Sequence, residues 1–313
     1  MFEIRHYTPD KEAEWNQFVE QSKNGTFLFD RGYMDYHQDR FEDYSLLFYL
    51  DNKLYALLPA NRKGDVLYSH QGLTYGGLVM DEHCRTAQIC ELFKRLNEYL
   101  KDVGFQTVIY KHIPSDYYQL PSDEDLFALA GVCRATLHSR TVSSVVDLTH
   151  RLPLSQLRKR GVRKAKTHLL QVMETDDFAA FWQILGDNLQ EKYHAYPVHS
   201  LEEITLLHDR FPKHIKLYVV KKDEVVIGGT VLYVTHHTVK TQYISANEVG
   251  KQLGAIDLLF DTLLKKYAFE GCRYFDFGTS NRPEDDTLNE SLIHQKEGFG
   301  GRAVCYDTYK WTL

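Results

Sequence analysis

An aspartate set in an otherwise apolar run, Tyr274-Phe275-Asp276-Phe277-Gly278, is the sharpest chemical signal in the sequence. The run reads as a strand, which puts Phe275 and Phe277 on one face and Tyr274 and Asp276 on the other. An ionised carboxylate there is costly unless it is paired or wet. Partial burial would also raise its pKa toward a value useful to a general base. A structural aspartate that caps a loop or pairs with an arginine satisfies the same pattern. A second signal is Asn247-Glu248-Val249-Gly250-Lys251-Gln252-Leu253-Gly254, between a predicted strand and a predicted helix. Its glycines allow a close backbone approach, the new helix offers free N–H groups to phosphate, and Lys251 adds a point charge. A plain turn with a solvated lysine would look alike. The third signal is a basic helix holding Arg158, Lys159, Arg160, Arg163, Lys164 and Lys166. Lys159, Arg163 and Lys166 form one stripe, and Leu154, Leu157, Gly161, Ala165 and Leu169 form a narrow apolar seam. This is either a solvated connecting helix or a cationic wall for a phosphate-bearing ligand.

The elements that must position these groups occur twice. Thr8 and Thr175 each follow a short strand pattern and read as helix N-caps. Trp15 and Trp182 each lie on the apolar face of the helix that follows, and both pairs lie 167 residues apart. Gly104 and Gly271, each between a helix and a strand, repeat the offset, as do Gly131 and Gly298. Gly131 and Gly298 suit left-handed helix ends. Between these anchors, the runs 45–50 and 54–58, and 216–220 and 225–232, read as hairpins. The predicted boundary is near residue 150. Asp276 falls on Ile109 of the first copy, so an apolar residue can serve at that position.

Composition excludes several classes. The 313 residues are 43% hydrophobic and 26% charged, which is ordinary for globular domains and not for disordered or fibrous chains. A net charge of −6 argues against a protein that coats nucleic acid. No apolar run approaches the roughly 18–20 residues a membrane span needs. The first residues lack the basic and apolar regions of a secretion signal, so a cytoplasmic location is expected. The five cysteines are scattered and odd in number, which predicts neither a disulfide framework nor a zinc knuckle. No His/Asp/Glu pattern suggests a catalytic metal. Ser69 to Gly77 is glycine-rich, but strand and loop surround it, so it is no phosphate loop.

In this layout the chain resembles a tandem pair of GNAT-type acyltransferase domains, as in the FemAB-like superfamily. The run Leu157–Ala165 is similar to the family's R-x-x-x-R-K-A helix. Gln242-Tyr243-Ile244-Ser245-Ala246, followed by Gly250 to Ala255, resembles its strand, phosphate loop and helix start. Tyr274 to Gly278 resembles its Y-x-D-F-G strand, and Leu288 to Ile293 with Gln295 to Gly300 resembles its closing segment. The pyrophosphate signature Q/R-x-x-G-x-G/A is not present in full. The resemblance implies an α/β (α+β) fold of two tandem GNAT-like domains, 1–150 and 151–313, each a mixed, mostly antiparallel sheet flanked by helices. The first would be degenerate and the second would bind donor and catalyse.

It further implies transfer of an acetyl, other acyl or aminoacyl group to an amine by direct attack. The acceptor would be a small molecule, an amino sugar, or a glycan or peptide precursor of the cell envelope. The expected co-substrate is acetyl-CoA or another acyl-CoA. Aminoacyl-tRNA is the alternative donor, as in the peptidoglycan-building members, and a non-catalytic ligand receptor is the alternative role. DNA and metal are not expected. Asp276 would act as base and Tyr243 would protonate the leaving thiolate. Glu191 and His194 would meet the acceptor. Ser245, Ala246, Gly250, Lys251, Gln252 and Gly254 would hold the cofactor, and Lys159, Arg163, Gln242 and Asn281 would contact substrate.

Overall fold

In a computed structural model, which describes residues 2–282 and 284–313, the chain divides into two units. One is Met1–Thr141 with Cys305–Leu313, and the other is Val142–Val304. The boundary thus falls ahead of the expected residue 150, and the last strand returns to the first unit.

The first unit runs β1 (Phe2–His6), α1 (Glu12–Gln21), α2 (Arg31–Met34), β2 (Glu42–Asp43), β3 (Leu46–Leu50), β4 (Lys53–Leu58), β5 (Asn61–Lys63), β6 (Val66–Tyr68), β7 (Val79–Met80), α3 (Thr86–Asp102), β8 (Thr107–Lys111), α4 (Glu124–Gly131) and the start of β9 (Thr136–Asp147). Strands β1, β3, β4 and β7 form an antiparallel sheet in that order. Helix α3 buries Ile89, Leu92, Phe93, Leu96 and Leu100 in the core with Phe48, Leu58 and Trp311. Their spacing makes one apolar helix face, and each full burial contributes about 1.5–3 kcal/mol. Residues 69–77 form an irregular loop. The Lys111 ammonium anchors it by donating to the carbonyls of His70, Gln71 and Leu73 at 3.2, 3.2 and 2.7 Å.

The second unit continues with α5 (Gln156–Thr167), β10 (Gln171–Thr175), α6 (Ala179–Tyr193), α7 (Leu201–Arg210), β11 (Ile215–Lys222), β12 (Val225–Val234), β13 (Thr238–Ala246), α8 (Glu248–Leu253), α9 (Ala255–Phe269), β14 (Tyr274–Thr279), α10 (Glu290–Glu297) and β15 (Arg302–Thr312), whose end belongs to the first unit. Its sheet has the order β10-β11-β12-β13-β14-β9. Every pairing is antiparallel except β13 with β14, which α9 joins by a crossover. Parallel neighbours need such a connection. Leu258, Leu259, Leu263, Leu264 and Tyr267 of α9 pack on Val220, Leu232, Val239 and Phe275.

The repeat is visible in the element boundaries. Helices α1 and α6 begin at Glu12 and Ala179, α3 and α9 end at Asp102 and Phe269, and β8 and β14 begin at Thr107 and Tyr274. Each pair keeps the offset of 167. Both predicted hairpins form, and each turns on two residues of positive φ, Asp51 and Asn52 at 50° and 63°, and Asp223 and Glu224 at 48° and 62°. Such paired values are those of the two-residue turns that match strand twist. Gly104 and Gly271 take the left-handed conformation, at φ 88° and 84°. Gly131 and Gly298 do not: Gly131 lies within α4, and Gly298 is right-handed at φ −60°. The expected caps at Thr8 and Thr175 also differ. Thr8 makes no side-chain cap bond, and Thr175 Oγ1 instead accepts from Asp177, whose carboxylate accepts from Ala179 at 3.1 Å.

Candidate active site

Strands β13 and β14 pair over three positions only: Thr238 with Tyr274, Val239 with Phe275, and Lys240 with Asp276. Beyond that point the two strands part. On its other edge β14 pairs with β9, and the register slips between Asp276 and Thr279. Gly278 sits in that slip at φ 73°, a conformation that costs glycine little and other residues more. A slip of this kind bends the strand away from its neighbour. A cleft of ≈ 360 Å³ lies at the parting, lined by Leu185, Asn188, Leu189 and Lys192 of α6, Ile244 and Ser245 of β13, Lys251 of α8, Ile256 and Phe260 of α9, Phe277, Leu292, Gln295, Lys296 and Phe299. Its walls are mostly apolar, with three lysines.

Parted strands leave carbonyls that need donors. Lys296 of α10 supplies two of them, with its Nζ donating to the carbonyls of Gly278 at 2.8 Å and Thr279 at 2.7 Å. The side chain is 6% exposed and still lines the cleft. Burial pulls its pKa down to about 8; the Asp276 carboxylate works against that fall and the Lys240 ammonium adds to it. An ammonium has three N–H donors, so one remains for a group in the cleft.

Asp276 is fully buried and is not among the residues lining the cleft. Its Oδ1 accepts from the Ser143 hydroxyl and from the Gly278 N–H, the latter at 2.7 Å. A base that touches an acceptor amine needs an open approach that this geometry does not provide. Tyr243 shares a 2.5 Å hydrogen bond with His199 Nδ1, and its ring meets the edge of Trp182 at 5.1 Å. Glu191 is exposed at the end of α6, and His194 is the exposed left-handed cap of that helix at φ 49°. The buried histidine of that segment is His199, at 3% exposure.

The expected phosphate loop is instead a short helix. Asn247 caps α8, its Oδ1 accepting from Gly250 N–H at 2.9 Å. A Cβ at Gly250 would lie 2.2 Å from the Ile227 carbonyl, and one at Gly254 would lie 2.5 Å from that of Gly161. These glycines therefore serve close packing. Lys251 reaches the cleft, where it donates to Asn188 Oδ1 at 3.0 Å and pairs with Glu248 at 2.6 Å. Gln252 is exposed. Ser245 and Ala246 are buried, and both accept from Asn188 Nδ2, at 2.8 and 3.0 Å. Asn188 thus ties α6, β13 and α8 together.

Lys159 and Arg163 lie on α5, which packs against α8 and α9. Arg158 pairs with Asp257 at 2.6 Å. Among the described residues, Lys159, Arg160, Arg163, Lys164 and Lys166 have no carboxylate partner. Gln242 accepts from Lys240 Nζ at 3.2 Å. Asn281 accepts from Val142 N–H at 2.8 Å and donates to the Asp286 carbonyl, holding the turn after β14. Three residues of the site were not singled out from sequence: Lys296, Lys240 and Asn188. For Lys296 a signal existed, because Leu292 and Lys296 stand one turn apart on a helix face that Phe299 extends.

Residues 154–285 match the model of the acetyltransferase (GNAT) domain. This segment is a GNAT acyltransferase domain. The matched segment supplies the α6, β13, α8, α9 and β14 walls of the cleft, while Leu292, Gln295, Lys296 and Phe299 lie beyond it. Across the whole chain the fold is that of FemX, with a TM-score of 0.70 at 12% identity, covering 99% of this chain and 97% of that one. The C-terminal domain (DUF2156) of a putative lysylphosphatidylglycerol synthetase from Agrobacterium fabrum gives 0.64 at 13%, covering 97% and 92%. A tandem GNAT protein from the clavulanic acid biosynthesis pathway gives 0.50 at 12%, covering 100% and 98%. A comparison with curated proteins gives no match. The tandem GNAT architecture agrees with the reading of the duplicated sequence. Among the described residues, no group of three or more His, Cys, Asp or Glu could hold a metal ion, and no helix is long and apolar enough to cross a membrane.

Proposed function

We propose that the GNAT domain transfers an acyl group from a phosphate-bearing carrier to an amine, with the acyl arm lying in the cleft where β13 and β14 part. The observation that carries this reading is Lys296, a buried ammonium with an N–H to spare between the apolar side chains of Phe277, Leu292 and Phe299 that line the cleft. The amine nitrogen attacks the acyl carbon, the new C–N bond forms, and the bond from carbon to the carrier's oxygen or sulfur breaks. Lys296 donates to the carbonyl oxygen as it gains negative charge, and the amine's proton leaves to solvent or to the departing carrier. An oriented donor of this kind contributes most in a water-poor site. Asp276 then acts on Lys296 and Gly278 and does not touch the substrate.

The carrier's phosphates belong on α5, whose five cations without carboxylate partners stand out in a chain of net charge −6. Both coenzyme A and the acceptor end of a tRNA fit that description. The α8 turn favours the tRNA reading, since Asn247 and tight glycine packing already fill the place where a pyrophosphate would bind. The mostly apolar cleft, which suits a slender acyl-bearing arm, favours coenzyme A as the second reading.

The test is label transfer. Purified protein is given radiolabelled aminoacyl-tRNA or acetyl-CoA together with amino-sugar and peptide amines, in parallel with Lys296→Met. Label moving from one carrier in the native protein, and failing to move in the variant, supports the reading. Transfer that survives Lys296→Met overturns it, as does the absence of both transfer and binding with either carrier.

A further inference from the structure

The last pair before the strands part is Lys240 opposite Asp276. Parallel partners project to the same side of a sheet, so both leave the face that carries Phe275 and Phe277. Lys240 is 8% exposed, Lys296 6% and Asp276 0%. Two lysines and one carboxylate are thus buried close together at the edge of the cleft, and a buried charge is tolerated only where it is paired and hydrogen-bonded. Lys296 has two short carbonyl acceptors. Lys240 has only long contacts, to Gln242 Oε1 at 3.2 Å and the Thr241 carbonyl at 3.4 Å. Lys240 Nζ also stands 3.9 Å from the point where a Cβ on Gly278 would lie, beside the carbonyl that Lys296 grips.

We propose that Lys240 is a positioning residue, whose buried ammonium opposite Asp276 sets the charge and the aim of Lys296 at the cleft. The role rests on the reading of Lys296 given above. With one carboxylate between them, the two lysines cannot both hold a proton cheaply, so they titrate as a coupled set. The repulsion of Lys240 and the attraction of Asp276 act on Lys296 in opposite senses. Other charges around the site are Lys192 on α6, the Lys251–Glu248 pair on α8, and the Arg158–Asp257 pair of α5 and α9. The two pairs are internally neutral, and Lys192 is exposed to solvent.

The experiment follows the Lys296 ammonium by 15N NMR of lysine side chains against pH, assigned with Lys296→Arg. Lys240→Met keeps the bulk and removes the repelling charge, so the midpoint of Lys296 rises by about one unit, a tenfold gain in proton affinity. Asp276→Asn removes the attracting charge, so the midpoint falls. Opposite shifts in the two variants support the proposal. A midpoint that stays fixed in Lys240→Met, or shifts the same way in both, overturns it. Should Lys240→Met fail to fold, an unmoved midpoint in Asp276→Asn decides against it. Since the titration needs no substrate, it separates this proposal from the assignment of transfer, which Lys296→Met tests.

Discussion

Replacing Lys296 with methionine separates catalysis from stability with unusual clarity. Methionine keeps most of the length and loses the charge and all three N–H donors. Two stability effects then oppose each other. The carbonyls of Gly278 and Thr279 lose their donor, which costs about 1–3 kcal/mol where water cannot replace it. The burial penalty of the ammonium also disappears. That penalty follows from a pKa of about 8 in the fold against an ordinary 10.5, or about 3 kcal/mol at pH 7. The two nearly cancel, so Lys296→Met should unfold in urea within about 1–2 kcal/mol of the native protein at pH 7. The rate is expected to fall about 10²- to 10³-fold, as when one oxyanion donor is lost. The pH dependence gives a second reading. Between about pH 8 and 10.5 the unfolded chain holds this proton more tightly than the fold, so native stability gains from Lys296 as pH rises through that window. The variant lacks that gain. Urea midpoints at pH 7 and pH 9.5, with label transfer at pH 7, check all three statements. A variant that keeps more than a tenth of the native rate, or shows the native change in stability between the two pH values, refutes the reasoning.

Reversing Arg160, Arg163 and Lys164 to glutamate should weaken carrier binding and flatten its dependence on log salt, by roughly two to three units of slope for tRNA if each side chain meets a phosphate; titrations by fluorescence anisotropy from 50 to 200 mM salt read this. Arg158→Ala leaves the largely buried Asp257 carboxylate without its partner, and it removes the guanidinium 5.2 Å from the centre of the Phe299 ring. It should cost about 3 kcal/mol in urea unfolding, and the double variant with Asp257→Asn should recover part of that loss. Gly250→Ala forces a Cβ to within 2.2 Å of the Ile227 backbone carbonyl and should cost about 1–3 kcal/mol. Gly271→Ala meets open space and pays only for its φ of 84°, about 1 kcal/mol; melting temperatures rank the two.

Local patterns in the chain predicted most of the architecture because local forces set it. Trp15 and Trp182 mark helix faces whose apolar spacing survives in the fold, and the two hairpins turn where short polar residues tolerate positive φ. The α8 segment was harder to read. Its glycines fit a phosphate loop and a tight helix turn equally well. The choice was made by the Ile227 and Gly161 carbonyls, which are remote in sequence. The sequence marks Asp276 as unusual and puts it on the face opposite Phe277, but alternation does not say which face borders the cleft; the expectation gave the carboxylate that face, and the structure gives it to Phe277. What alternation did not carry was the identity of its neighbours. Ser143 arrives from β9, and the two lysines from β13 and α10. The parallel crossover sets Lys240 beside Asp276, the antiparallel pairing with β9 brings Ser143, and α10 brings Lys296.

The duplication argues that the charged cluster is not a requirement of the fold. At the offset of 167, Asp276 corresponds to Ile109 and Lys296 to Leu129. The strand and helix that carry them keep register to within one residue at each end, β8 with β14 and α4 with α10. In the first copy, then, the same strand position holds an apolar residue that is partly buried, and the same helix position holds a leucine that is 1% exposed. An apolar pair satisfies this architecture, and burying a carboxylate and an ammonium instead gives no general gain in stability. The second copy retains the costlier arrangement at the point where its strands separate around a cleft. Converting Asp276 to isoleucine together with Lys296 to leucine should therefore leave a folded second unit without transfer activity. Calorimetry showing that unit unfolded would mean the charges hold the strands apart, and the case for chemistry at Lys296 would lose its main support.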